Sequence, residues 1–291
     1  MDADDFAFEH WLKIQIDFIR KFSDYAAVST RAVVIDKDSR IQRVLNTPLT
    51  EEDIILKSLI ATPINHVGVL MNKELILKTG GYDENFRFAA DFALWSKLIK
   101  RGFRLASTPD VGVAIRFHVQ STTMMEEGKS DVREVVRIMA DNIEHWAGKK
   151  LNNEDAVSLW KLVYRAQELN VSQFLCAHKL LKEIYQAIDS SKGAAFKRTN
   201  LYFHGLSRIF YMKKIFAEIE RGDAACVRQL ARDYISHCGV FNFFSLIWMM
   251  TFLGLPGLTF FPELYKNIRL RSAKRMIVHN TSPCFTAYKN I

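Results

Sequence analysis

The chain has 291 residues, of which 49% are hydrophobic and 25% charged, with a formal net charge of +8. That length and composition supply a packed core for one large or two ordinary domains and exclude collagen-like, low-complexity and disordered classes. Four scattered cysteines without a CxxC pair exclude a disulfide framework and give no support to a structural zinc site. The opening Met-Asp-Ala-Asp-Asp lacks the basic and apolar regions of a signal peptide, so the expectation is a reducing, cytoplasmic-side protein.

In chain order, residues 6–22 carry apolar side chains at helical spacing after an acidic start and predict a helix. Tyr25–Ile35, rich in Ala, Val and Thr, predicts a strand; Asp36-Lys37-Asp38-Ser39 turns the chain into a second strand around Ile41–Val44. Thr50 followed by Glu51, Glu52 and Asp53 is a hydroxyl cap with carboxylates in the first turn, the signature of a helix start. His66–Met71 predicts a short buried strand, and Asn72–Thr79 a helix stopped by Gly80-Gly81. An amphipathic helix over Asp91–Arg101 ends at Gly102, and Phe103–Ser107 and Val111–Phe117 predict two further strands. Beyond Ser130 only helical periodicity remains. The expected organisation is therefore an α/β region over 1–125 and an α-helical region over 126–291.

The charge is uneven. Residues 1–123 are neutral overall, so the whole excess lies behind them, and Lys266, Arg269, Arg271, Lys274, Arg275 and Lys289 crowd a tail (264–291) without a carboxylate. Ahead of the tail, Gly239–Pro262 carries no charge and is long enough to cross a bilayer, but Asn242, Ser245 and Thr251 interrupt it and Pro256-Gly257 breaks its helix. An apolar, aromatic-rich segment before a basic one fits a helix seated at a membrane surface with anionic headgroups; a buried helical hairpin with a solvated basic helix is the alternative. Nucleic acid is not expected as a partner, because the basic residues lack interleaved aromatics and no nucleic-acid motif occurs.

Four carboxylates are candidates for chemistry: Asp2, Asp4, Asp5 and Asp91. The spacing in Asp2-Ala3-Asp4 lets an extended segment point two carboxylates the same way, and hard oxygen ligands suit Mg²⁺ or Mn²⁺ bound with phosphates. By itself the signal is weak, because such a cluster is more often a helix cap with solvated charge.

Order and distance add context. MDADD, a helix with Gln15 near its centre, the strand pair VSTRAVVIDKDSRI, the run TPLTEEDIILKSLIATPINHVGVLMNKELILKTGGYDENFRFAADFALWSKLIKRG and the closing AIRFHVQST follow one another collinearly. This stretch, residues 1–123, resembles the second half of a family 2 glycosyltransferase of GT-A fold. The resemblance implies the C-terminal half of a Rossmann-like glycosyltransferase domain followed by an all-α region, with about 90–100 residues missing before the D-x-D motif and an exposed sheet edge as the consequence. It makes Asp4 the metal ligand together with His118, and sets Asp2 near the nucleotide ribose. Gly80 and Gly81 become the loop that approaches donor and acceptor, His66 a histidine on the acceptor side, and Asp91 the catalytic base. Ala90 stands where many members have Glu. The function implied is inverting, metal-dependent transfer of a sugar from a nucleotide-sugar to a glycan or lipid-linked acceptor in cell-surface polysaccharide synthesis, at the inner face of the cell membrane. The alternative is an inactive remnant that binds a membrane or a protein.

Overall fold

The structure, a computed structural model, describes residues 4–116, 131–192, 196 and 198–238. It is mixed α/β with a mixed sheet, followed by an all-helical region. The residues fall into two units. The first comprises the chain up to Ser58 together with Thr62–Glu134; the second comprises Leu59–Ala61 and the helices after Glu134.

The first unit is built on a five-stranded sheet. Its strands are β1 (Phe6–Ala7), β2 (Tyr25–Ile35), β3 (Ile41–Leu45), β4 (Leu70–Met71) and β5 (Arg104–Arg116), in the order β1-β5-β2-β3, with β4 pairing on β2. β2 and β5 run parallel from Tyr25 opposite Arg104 to Ile35 opposite Arg116, and the other pairings are antiparallel. Nine of the eleven β2 residues are buried, which explains its continuous run of small and β-branched residues in place of an alternation. At its start the Arg104 guanidinium lies 4.1 Å from the centre of the Tyr25 ring and pairs with Asp24 and Glu51. At its far end Val33, Ile35, Val44, Val111 and Ala114 form a local core closed by Phe8 and Ile41.

Helices α1 (Trp11–Lys21), α2 (Glu51–Ser58), α3 (Lys73–Lys78) and α4 (Ala90–Lys100) complete this unit. The expected caps are present: Thr50 Oγ1 accepts the Asp53 N–H at 3.1 Å, and Asn72 Oδ1 accepts the Leu75 N–H at 3.1 Å.

Three expectations need correction. The helix foreseen over 6–22 begins only at Trp11, because Phe6 and Ala7 pair with Ala114 and Val113 and the Phe8 N–H reaches the Gly112 carbonyl. Apolar spacing over so few residues fits either element. His66–Met71 is not one strand: the Val69 N–H bonds back to the His66 carbonyl, Gly68 takes φ +69°, and only Leu70–Met71 pairs. The two strands foreseen after α4 are one, since β5 absorbs Pro109 and Asp110 in a register shift against β2 between Ser29 and Arg31. Phe117 lies outside the described residues. Among those described, only Val113 and Ala114 of β5 have a strand partner on the side away from β2.

The second unit stacks α5 (Asp131–Ala147), whose first turn still belongs to the first unit, with α6 (Asn153–Tyr164), α7 (Val171–Lys192), α8 (Thr199–Glu220) and α9 (Ala224–Cys238). On α7 the residues Phe174, Ala177, Leu181, Ile184, Tyr185 and Ile188 are buried at the three- and four-residue spacing of one helix face. Consecutive helices from α6 to α9 pack on one another. The apolar segment 239–262 and the basic tail 264–291 lie outside the described residues, and among those described no helix is long and apolar enough to cross a membrane.

Candidate functional site

Helix α4 carries the site's main acid. Phe92, Leu94, Trp95, Leu98 and Ile99 are all buried, so the helix is seated deep in the first unit and its first turn is fixed. Asp91 lies in that first turn, where the helix dipole favours negative charge. One carboxylate oxygen accepts the Phe92 N–H at 2.7 Å. Burial nevertheless pushes its pKa above the ordinary value of 3.8, against the opposing pull of that N–H and of His66. The Thr62 hydroxyl leans toward the carboxyl but falls short of a hydrogen bond. A carboxylate made more basic by desolvation is better suited to taking a proton than an ordinary one.

His66 is brought to the same place. Its exposed ring stands 6.0 Å from Tyr82, edge-on, and 6.0 Å from Trp95, centre to centre. Trp95 is one helical turn beyond Asp91 and therefore shares its face. Trp95 is fully buried. The Asp91 charge also raises the pKa of the Tyr82 hydroxyl, after burial as the first cause.

The segment that presents His66 is tied down from three sides. Ser29 Oγ donates to the Asn65 carbonyl at 2.9 Å, and the Asn65 amide donates to the Thr30 carbonyl at 3.1 Å. From α1, Trp11 Nε1 and Gln15 Nε2 both donate to the Gly68 carbonyl at 2.6 Å, while Gln15 also reaches the Val28 carbonyl at 3.0 Å. Gly68 is required twice over: its φ is +69°, and a Cβ there would lie 2.4 Å from Val113 Cγ1.

Gly80 and Gly81 close α3 with left-handed φ of +84° and +62°. A Cβ on either would meet nothing within 4 Å, so backbone conformation, not crowding, asks for glycine here. The loop is anchored to α4, where Lys97 Nζ donates to the Gly81 carbonyl at 2.5 Å and Arg101 Nη1 to the Thr79 carbonyl at 3.1 Å. Asp91, His66 and the glycine loop thus hang on one helix and its immediate supports.

The acidic segment is only partly described. Asp2 and His118 lie outside the described residues. Asp4 sits in a partly exposed turn, held through its carbonyl by Arg116 Nε at 3.3 Å. Asp5 accepts the Arg116 N–H at 3.0 Å, so its carboxylate is engaged in holding structure. The same guanidinium donates to the Asp36 and Lys37 carbonyls at 2.7 and 3.1 Å and to Ser39 Oγ at 3.1 Å, and lies over the Phe6 ring. A carboxylate is a hard oxygen ligand of the type that Mg²⁺ and Mn²⁺ take. Among the described residues the one group of three possible metal ligands is elsewhere, in the second unit: Glu218, Asp223 and Cys226. There Glu218 is already paired with Lys214 at 2.5 Å and Arg221 at 2.8 Å.

Sequence reading did not single out Arg116, Gly68, Lys97 or Arg101 as supports of the site. Only Gly68 had a visible signal, a lone glycine inside an apolar run.

No protein-family model matches the chain. It is similar to glycosyltransferases. The amylovoran biosynthesis glycosyltransferase AmsE of Erwinia amylovora is 24% identical over 116 residues, 40% of this chain and 43% of the relative. An uncharacterized glycosyltransferase of Haemophilus influenzae is 27% identical over 117 residues, with the same coverage of 40% and 43%. A second uncharacterized glycosyltransferase of that organism is 23% identical over 207 residues, 65% of this chain and 60% of the relative. The matches to the first two therefore span less than half of each relative's length.

Proposed function

We propose that this chain carries the acceptor side of a family 2, GT-A glycosyltransferase that moves a sugar from a nucleotide-sugar to a glycan or lipid-linked acceptor with inversion. The observation that carries the reading is the placement of Asp91, desolvated in the first turn of α4 and flanked by His66 and Tyr82. Similarity to glycosyltransferases supports the reaction class, and a relative named for amylovoran biosynthesis favours the synthetic direction.

The acceptor hydroxyl attacks the anomeric carbon while Asp91 accepts its proton. The bond from that carbon to the diphosphate oxygen breaks, and the leaving diphosphate takes the electron pair. A single displacement reverses the configuration, and no second nucleophile takes part. Asp4, with His118, would hold Mg²⁺ or Mn²⁺, which when bound supplies positive charge against the diphosphate, and Asp2 would lie nearer the nucleotide ribose. His66 and Tyr82 frame the acceptor's approach, and Lys97 and Arg101 keep the Gly80-Gly81 loop in place beside it. Contact of 239–291 with a membrane surface would bring a lipid-linked acceptor within reach.

The test is release of nucleoside diphosphate from a panel of nucleotide-sugars, with Mn²⁺ and membranes of the source cells as acceptor. It uses both this chain and the native protein purified from those cells. Turnover that Asp91→Asn abolishes supports the reading. Folded native protein without turnover on any donor favours an inactive, partner-binding role.

A further inference from the structure

Asp91 is fixed at the start of α4, yet that helix has no cap of its own, because Ala89 at the N-cap position offers no side-chain acceptor. The first N–H groups of a helix need an acceptor from somewhere. Within α4 the Phe92 N–H turns to Asp91 itself, and the turn ahead of the helix takes its acceptor from more than forty positions along the chain. One oxygen of Glu134, in the first turn of α5, accepts the Arg87 N–H at 3.0 Å; the other accepts the Phe88 and Ala89 N–H groups, both at 2.9 Å. A single carboxylate thus gathers three consecutive backbone donors immediately before α4, two residues ahead of the acid. Burial alone would raise the Glu134 pKa, but those three donors, helped by the Arg87 charge, hold it below the ordinary value of 4.5. The carboxylate stays ionised through the neutral range, which keeps all three bonds charge-assisted.

We infer that Glu134 is a positioning residue for Asp91, setting the 87–89 turn so that the Asp91 carboxyl meets the acceptor hydroxyl; the inference rests on the transferase reading above. A simple cap needs one or two N–H groups of the helix itself. Glu134 instead spans the turn ahead of the helix, from Arg87 to Ala89, and so fixes the direction from which α4 begins. Misplacement of a catalytic group by about 1 Å costs up to roughly a hundredfold in rate, so a loosened turn is read in kcat. Donor affinity is expected to hold, because the Glu134 bonds all go to the 87–89 backbone ahead of α4.

The experiment compares Glu134→Gln and Glu134→Asp with the unmodified chain by hydrogen-exchange mass spectrometry and by sugar-transfer kinetics. Glutamine keeps the shape but turns an amide nitrogen toward an N–H and loses the charge. The expected result is faster exchange confined to peptides covering residues 86–92, with kcat down about tenfold or more and the donor KM unchanged. Glu134→Asp, which retains the carboxylate, should recover part of both, and it carries the test if the glutamine variant does not fold. Unchanged exchange at 86–92, or a fall expressed in donor KM with kcat intact, overturns the inference. If the unmodified protein transfers no sugar from any donor, the transferase reading fails, and the role of positioning a catalytic base falls with it. Exchange at 86–92 then still separates a held turn from an unheld one.

Discussion

The two units each bury a lysine, and they treat it in opposite ways. In the helical unit Lys214 is wholly buried and fully partnered, donating to the Leu169 carbonyl and to Glu218, which Arg221 also grips. A second buried group nearby is equally closed on itself: His178 meets Ser207 at 2.9 Å, and Tyr211 donates to Asp233. In the sheet unit Lys57 is largely buried with a 3.4 Å bond to the Pro63 carbonyl, and its pKa is pushed down to about 8. Asp91, in the same unit, is pushed the other way. Charge is neutralised where the fold only needs holding together. Around the segment that carries His66 and Asp91 it is compensated only in part, and burial prevails.

Substitutions can break that contrast. The largest effect expected is on activity: Asp91→Asn should lower sugar transfer about 10²- to 10⁴-fold, the span of general-base contributions. It should not destabilise the protein. A carboxyl whose folded pKa is raised binds more protons folded than unfolded between its two pKa values, so stability falls as pH rises through that window and the cost persists at pH 7. Removing the charge should therefore hold or raise the urea midpoint at pH 7 while turnover is lost. Activity of the unmodified protein should rise with pH through the raised pKa, and a pH–rate profile checks it.

Lys214→Met should do the reverse, costing about 3–5 kcal/mol in urea unfolding because it leaves the buried Glu218 with only its Arg221 partner and the Leu169 carbonyl without a donor. Lys57→Met should stabilise at pH 7. A lysine whose folded pKa lies near 8, against an ordinary 10.5, binds fewer protons folded than unfolded between those values, so the unmodified protein gains stability as pH climbs from 8 to 10.5. The variant should lack that gain, which thermal melts across the range would show. The smallest change is Thr50→Ala, about 1 kcal/mol for a lost cap on α2.

Much of the first unit was legible because its signals are local. Thr50 with its following acids, Asn72, and Gly80-Gly81 act within a few residues, and β2 was placed to its ends by a run of small and β-branched side chains. The misplaced elements had non-local causes. Phe6-Ala7 is a strand only because β5 lies beside it, and Pro109-Asp110 stays in a strand only because β2 tolerates a register shift. Of the candidate residues, Asp91, His66 and the glycine loop do gather on α4 and its supports. Nothing local to Arg116 or Glu134 announces what they hold, since their partners are separated from them by 112 and by 45 to 47 positions.

The grip of Arg116 on the Asp4 turn also sets an order of events during synthesis. The turn emerges from the ribosome 112 residues ahead of the arginine that straps it, and β1 likewise precedes β5, its strand partner among the described residues. At about 5–20 residues per second the acidic segment waits roughly 5 to 20 seconds without its anchor. A motif made early is thus fixed late, and a ribosome that stalls before Arg116 exposes the acidic segment in an unstrapped form.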